Sequence, residues 1–290
     1  MLRSKILNRI RLLKPVIDRR CMSSASKTPL TLLEVDDKSG IATLSLNRPP
    51  VNSLNIDLMN SIIESITEIE GNKSRGLILT SANDRVFCAG LDLNELHKPN
   101  QERLKEFWAV FQDVWLALHL CSVPTAAAIN GHAPAGGCLL ATACEYRVML
   151  PQMTIGLNET QFGYMAPKWV MLSYLSVLPR RLAERALTQG KLFTTAEALD
   201  VGLVDEIAAS KEEALAKCST FIDSFSKANP LARSLTKKQI REPDVQKLIA
   251  DRAGDLKECL EYINSPLLQD GLGAYFEALK QKSRSKAGKS

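Results

Sequence analysis

Between residues 32 and 149 the chain alternates short β-rich runs with segments of helical spacing, and beyond about residue 210 only helical spacing is left. That order limits the fold more than any other feature. Residues 32–35 and 41–46 are strand-like runs joined by the turn signal Asp36-Asp37-Lys38-Ser39-Gly40, and Asn47-Arg48-Pro49-Pro50 stops the second. Apolar Ile56, Met59, Ile62, Ile63, Ile66 and Ile69 then recur as on one helix face, and Gly76-Leu77-Ile78-Leu79-Thr80 reads as a buried strand. Residues 102–120 form a long helix whose aromatic stripe, including Phe107, Trp108, Phe111 and Trp115, is a core face. Strand at 125–129, helix at 136–143 and strand at 146–149 continue the alternation, which predicts an α/β fold of stacked units around largely parallel strands.

Helices follow at 168–176, 180–187 and 195–199, the last behind a threonine N-cap signature with Glu197 in its first turn. From there the expected elements are helices at 212–226, 231–240, 245–264 and 267–280. A helix-only region with apolar faces packs on its own core or on a neighbouring subunit. The division read from this pattern is 1–28 leader, 29–208 α/β core and 209–290 helical region.

A chain of 290 residues, 45% hydrophobic and 24% charged, can bury one full core. Its formal charge of +5 is misleading, because the first 27 residues hold eight Lys/Arg against Asp18 alone, a net +7 that leaves −2 for the rest. The basic residues therefore mark a leader and not a polyanion-binding surface, and no nucleic-acid partner is expected. The leader lacks the apolar run of a secretory signal and spaces its Leu, Ile and Val among Arg and Lys as an amphipathic helix does. It reads as a mitochondrial presequence, with the mitochondrial matrix as destination. No apolar stretch approaches the roughly 18 residues needed to span a bilayer, so no integral membrane segment is expected. The seven cysteines include no Cys-x-x-Cys pair and the histidines His97, His119 and His132 lack ligand spacing, which predicts no metal site.

Three segments carry chemistry. In Phe87-Cys88-Ala89-Gly90-Leu91-Asp92-Leu93 an Ala-Gly pair lets the backbone turn sharply and aim the next N–H into a cleft. Asn130-Gly131-His132-Ala133-Pro134-Ala135-Gly136-Gly137-Cys138 adds a second turn that opens a helix, whose free N–H groups and dipole suit a developing negative oxygen. Neither phosphate-cradling glycine motif is present. Gly156-Leu157-Asn158-Glu159-Thr160-Gln161-Phe162-Gly163 supplies Glu159, the single glutamate of the three. Two turns able to donate N–H groups to one oxygen, plus one carboxylate, suit moving a proton beside a carbonyl.

With these segments in this order, and with Arg185-Ala186-Leu187 and Ala196-Glu197-Ala198-Leu199-Asp200-Val201-Gly202-Leu203-Val204-Asp205 downstream, the chain resembles the crotonase (enoyl-CoA hydratase/isomerase) superfamily from about residue 32 to 207. The resemblance implies a spiral of ββα units, an all-helical C-terminal trimerisation region, a homotrimer, acyl-CoA thioester substrates and no cofactor. It implies that the N–H groups of Leu91 and Gly136 form an oxyanion hole, that Ala89, Gly90, Leu91, Asp92 and Leu93 line the CoA-binding edge with Gly136 beside them, and that Glu159 is the catalytic carboxylate. Hydratases of this family carry a second glutamate where this chain has Leu139. Hydration needs one group to activate water and another to handle the proton at carbon 2, so the resemblance points instead to an isomerase. In it, Glu159 alone would move a proton from carbon 2 to carbon 4 of a 3-enoyl-CoA, giving the 2-trans isomer in the β-oxidation of unsaturated fatty acids. Leu139, Phe162, Met165 and Trp169 are the expected pocket walls. Thioester hydrolysis, residual hydration, or an RNA-binding role for the fold are the alternative readings.

Overall fold

Six strands, β1 (Thr31–Val35), β2 (Ile41–Leu46), β3 (Gly76–Ser81), β4 (Thr125–Ile129), β6 (Tyr146–Met149) and β9 (Glu206–Ile207), form the main sheet of this computed structural model, which describes residues 28–287. The basic leader lies outside the described residues. Strand order is β1-β2-β3-β4-β6-β9, with β1 antiparallel to β2 and every other neighbour parallel. A second, three-stranded sheet holds β5 (Ala133–Pro134), β7 (Thr154–Gly156) and β8 (Phe193–Thr194). From β4 onward the chain passes back and forth between the sheets, and strand pairs feed helices, β1–β2 the helix Ile56–Gly71 and β4–β5 the helix Gly136–Ala143; this is the spiral of ββα units.

Helix α1 (Ile56–Gly71) starts where the Asn55 side chain accepts from the Leu58 N–H at 3.0 Å, and its buried Ile62, Ile66 and Ile69 lie against the sheet side of the main core. Helix α2 (Gln101–His119) adds Phe107, Trp108 and Trp115 to that core, and α3 (Gly136–Ala143) is buried on every side. Strands β3 and β4 are buried along their full length because helices cover both faces. The opposite face belongs to α7 (Lys211–Asp223), whose Ala214, Cys218 and Ile222 pack on Ile41, Ile78, Ala126 and Val148.

Between these lie α4 (Lys168–Leu175), α5 (Arg180–Gln189) and α6 (Thr195–Asp200), the last opened by a reciprocal capping box of Thr194 and Glu197. The C-terminal helices depart from expectation at two places. The break expected between residues 240 and 245 is absent: α8 runs Pro230–Ala250 straight through Pro243, and the chain turns at Asp251 before α9 (Arg252–Ile263) and α10 (Pro266–Ala287). An interior proline forfeits a helical hydrogen bond and crowds the preceding turn. Tertiary contacts compensate, since Arg241 donates to the carbonyls of His119 (2.6 Å) and Ala143 (2.9 Å), and Val245 and Leu248 are buried on the far side of the proline.

Candidate active site

Two backbone turns meet first. Asn52 donates to the Ser81 hydroxyl (2.7 Å) and the Phe87 carbonyl (3.0 Å), while Asn130 both accepts from the Ser81 N–H and donates to its carbonyl at 3.1 Å. These buried amides fix the loop from Ser81 to Phe87 against β4. Phe87 N–H then bonds the His132 carbonyl at 3.0 Å, and His132 N–H bonds the Arg85 carbonyl at 3.0 Å. The approach is too close for side chains: a Cβ on Gly131 would sit 2.4 Å from the Val86 nitrogen, and one on Gly137 would sit 2.2 Å from the Cys88 carbonyl oxygen. Glycine is needed here for proximity.

Gly90 has φ +92°, and a Cβ on it would lie 2.9 Å from the Ala135 Cβ and 3.1 Å from the Gly136 nitrogen. The two turns therefore touch backbone to backbone at the residues singled out in the sequence. Leu54 bonds the chain on either side of Leu91, donating to the Gly90 carbonyl (2.8 Å) and accepting from the Asp92 N–H (2.9 Å). Successive peptide groups in extended chain alternate direction, so the Leu91 N–H points away from Leu54. Gly136 is the first residue of α3, where the N–H has no partner within the helix. The peptide before it is set by Ala135, which holds φ 50°, ψ −120°, a backbone state rare for a residue with a side chain.

The third segment joins the second through β5 and β7, where Ala135 N–H donates to the Gly156 carbonyl at 2.8 Å. A short 3₁₀ turn, Glu159–Phe162, follows and ends on left-handed Gly163. Thr160 donates to the Leu187 carbonyl (3.0 Å) and Gln161 to the Gly190 carbonyl (2.8 Å), which ties the turn to α5. The C-terminal helices hold its other end. Tyr262 of α9 donates to the Gly163 carbonyl, and Tyr275 of α10 meets Phe162 edge-on.

Glu159 is partly buried, and its Oε2 is fully buried without a hydrogen-bond partner. Burial pushes its carboxyl up to about 7, with its own backbone N–H opposing. Its charge in turn raises the thiol of Cys138 and the phenols of Tyr164 and Tyr174, all of which burial had already raised. Lysine and arginine are missing from the groups that act on Glu159. A carboxyl in such surroundings holds or releases a proton near neutral pH.

Of the remaining expected residues, Ala89 donates to the Val51 carbonyl (3.0 Å), and Leu93 opens a one-turn 3₁₀ helix capped by Asp92. The Asp92 carboxylate is also paired with Arg48 at 2.7 Å. Leu139 is buried at 1% exposure in α3, and Trp169 is buried as well. Phe162 and Met165 are different: at 51% and 53% exposed, Phe162 at the end of the 3₁₀ turn and Met165 in the loop after it face outward in this chain and do not form a buried wall. The sequence reading gave no role to Cys138, Tyr164 and Tyr174, whose proton affinities Glu159 raises, or to Tyr262, which holds Gly163, and none of them carries a local signal.

A cavity of about 610 Å³ opens between α4, α5 and α8, lined by Met171, Leu172, Leu175, Leu187 and Leu248 together with Trp169 and Asp255. It abuts the Glu159 turn at Leu187, and its size is that of a small-molecule site. The buried Asp255 Oδ2 accepts from Trp108 (2.7 Å), Gln112 (2.7 Å) and Trp169 (3.2 Å), so α9 is fastened to both cavity wall and core. Among the described residues no group of three His, Cys, Asp or Glu side chains could hold a metal ion.

The chain matches the enoyl-CoA hydratase/isomerase family over residues 36–286. It is 39% identical over 254 residues to enoyl-CoA delta isomerase 1, mitochondrial, of Rattus norvegicus, covering 87% of this chain and 88% of that protein. The Homo sapiens protein of the same name is 37% identical, with 87% and 84% covered. The crystal structure of human mitochondrial delta3-delta2-enoyl-CoA isomerase superposes with a TM-score of 0.84 at 37% identity, covering 87% of this chain and 99% of that one.

Proposed function

The chain belongs to the enoyl-CoA hydratase/isomerase family and is an acyl-CoA double-bond isomerase, and we propose that Glu159 works as its single proton carrier, converting 3-cis- or 3-trans-enoyl-CoA to the 2-trans isomer. Glu159 takes a proton from carbon 2, and the released electron pair moves into the thioester to give an extended enolate with charge on oxygen. The same carboxyl returns the proton to carbon 4, so the double bond ends between carbons 2 and 3. The N–H groups of Leu91 and Gly136 receive the enolate oxygen, a pair of donors whose single loss typically costs about 2.7–4 kcal/mol. Residues Ala89 to Leu93 form the edge that receives the CoA moiety.

One observation carries this reading: a buried, unpartnered carboxylate oxygen on Glu159, in an apolar setting that raises its proton affinity to about 7. A one-base shuttle needs a group that both accepts and gives back a proton, and a value near working pH serves both halves. Leu139, apolar and buried in the first turns of α3, provides no second carboxylate for water activation.

The test is turnover of 3-enoyl-CoA by the purified protein beside Glu159→Gln, with hydration of 2-enoyl-CoA measured in parallel. Isomerisation is expected to fall by about 10²–10⁴-fold in the variant. Full activity in Glu159→Gln would remove Glu159 from this role, and hydration as fast as isomerisation would move the assignment to a hydratase.

The same reading extends to assembly and address. Leu231 and Leu235, one turn apart on α8, are exposed, as are Ile240 and Leu267, and such a surface favours a homotrimer built through the helical region. The basic leader and the mitochondrial relatives support a mitochondrial protein, and we assign it to the matrix. A monomer mass in sedimentation would remove the trimer, and protease sensitivity in intact mitochondria would remove the matrix address.

A further inference from the structure

Helix α10 meets the site at two separate places. Its Tyr275 ring lies edge-on to Phe162 at the end of the Glu159 turn, with centroids 6.2 Å apart, and the next residue, Phe276, lies 5.0 Å from the ring of His97, just past Leu93. The helix backbone runs within van der Waals reach of both: a Cβ on Gly271 would sit 3.8 Å from the Phe162 carbonyl oxygen, and one on Gly273 would sit 3.8 Å from His97 Nε2. One helix therefore touches the segment that holds Glu159 and the segment that follows Leu91.

Gln269, in the first turn of this helix, fastens the two. Its Nε2 donates to the Leu96 carbonyl (2.9 Å) and to the Ile263 carbonyl at the end of α9 (2.7 Å), and its Oε1 accepts from the Lys98 N–H (2.8 Å). Backbone groups from two distant parts of the chain thus share one side-chain amide. Lys98 needs the hold, because its φ of 48° is a left-handed state that a residue with a side chain rarely adopts. From Leu96 the path back to Leu91 is the bonded 3₁₀ turn Leu93–Glu95, where Leu96 N–H donates to the Leu93 carbonyl at 3.1 Å and Glu95 N–H to the Asp92 carbonyl at 2.9 Å. From Ile263 the path to Glu159 is Tyr262, whose hydroxyl donates to the Gly163 carbonyl, and then Tyr164, whose N–H donates to the Glu159 carbonyl at 3.0 Å. Packing of α10 is supplied elsewhere, by buried Leu268 and Leu272, while Gln269 itself is partly exposed.

We propose that Gln269 is a positioning residue that, through α10, sets the gap between the Leu91 and Gly136 N–H groups and the Glu159 carboxyl. The inference rests on Glu159 being the single proton carrier. In that reaction the enolate oxygen stays in place while the protonated carboxyl passes from carbon 2 to carbon 4, so the reach between the two decides whether the proton goes forward. With the gap misset, delivery to carbon 4 slows. The carboxyl then trades its proton for one from solvent and gives that one back to carbon 2, so that recovered substrate carries solvent hydrogen.

The experiment follows 3-enoyl-CoA in heavy water with Gln269→Leu, which keeps the bulk and loses all three bonds, and with Gln269→Glu, which keeps the acceptor for Lys98 and loses both donor bonds. Deuterium at carbon 2 of recovered substrate, corrected for exchange without enzyme, is read against product formed. The ratio of exchange to isomerisation is expected to rise about three- to tenfold in Gln269→Leu and by less in Gln269→Glu, with KM within about twofold of the parent. Being a ratio, it does not depend on how much of the protein is folded, so a loss of stability alone leaves it unmoved. An unmoved or lowered ratio in Gln269→Leu overturns the proposal, and if that variant does not fold, the same result in Gln269→Glu does so. Glu159→Gln is run alongside: full turnover there removes the proton-carrier reading and this inference with it, whereas an inactive Glu159→Gln beside an unmoved ratio removes Gln269 alone.

Discussion

The two glycine-bearing turns and the Glu159 turn are built by opposite means. The first pair is backbone pressed on backbone, with Gly90, Gly131 and Gly137 at contacts that no Cβ could occupy, braced by buried Asn52 and Asn130. The second is a single 3₁₀ turn whose important atom touches nothing polar, and whose surroundings arrive from α3, α4, α5, α9 and α10. A donor site for an oxyanion gains from rigidity, because preorganised N–H groups need no reorganisation when charge appears. A proton carrier must swing between two carbons of its substrate, and its proton affinity is set by what surrounds it.

Substitutions in the two regions should separate these designs. Gly90→Ala brings the largest expected effect: the new Cβ meets Ala135 at 2.9 Å in a backbone state that alanine resists, and shifts the Gly136 donor. We expect kcat to fall by about 10²–10³-fold with little change in KM. Steady-state kinetics check this, and a loss confined to KM would mean that the turn binds substrate without favouring the enolate.

Next comes the stability signature of Glu159. Its proton affinity is near 7 in the folded chain against an ordinary 4.5, so the native state keeps a proton that the unfolded chain releases. Stability from this residue is therefore lost as pH rises from about 4.5 to about 7, while activity rises through the same upper limit as the base ionises. Glu159→Gln should be more stable than the parent at pH 8 by up to about 3 kcal/mol, and no more stable at pH 4. Urea unfolding at the two pH values measures it, and equal differences at both would show that burial does not tune this carboxyl.

The smallest effect is expected from Tyr262→Phe, which deletes the donor to the Gly163 carbonyl. It should cost about 1 kcal/mol of stability and less than about tenfold in isomerisation. A larger loss of turnover would make the C-terminal clamp as important as the backbone turns.

The same contrast governs what could be read from the sequence. Strands β2 and β4, helix α3 and the glycine turns follow from local pattern, because period and φ requirements are local properties. Strands β5, β8 and β9 are two residues long and have no period to read. The chain was expected to break between residues 240 and 245, but the helix runs on through Pro243, with Arg241 bonded to the His119 and Ala143 carbonyls. Glu159 stood out as the lone glutamate among the chemistry-bearing segments, yet the groups whose proton affinities it raises, Cys138, Tyr164 and Tyr174, looked like ordinary core. Phe162 and Met165 were expected as pocket walls, but the 3₁₀ turn and the loop after it leave both exposed.

Helix α7 has a consequence for how the chain is made. The strands it covers are complete by Met149, but Ala214, Cys218 and Ile222 emerge more than sixty residues later. Until then Ile41, Ile78, Ala126 and Val148 present a bare apolar strip across adjoining parallel strands, the kind of surface on which nascent or newly translocated chains aggregate. Passage through a membrane as an extended polypeptide would expose that strip on arrival until the α7 segment follows to cover it.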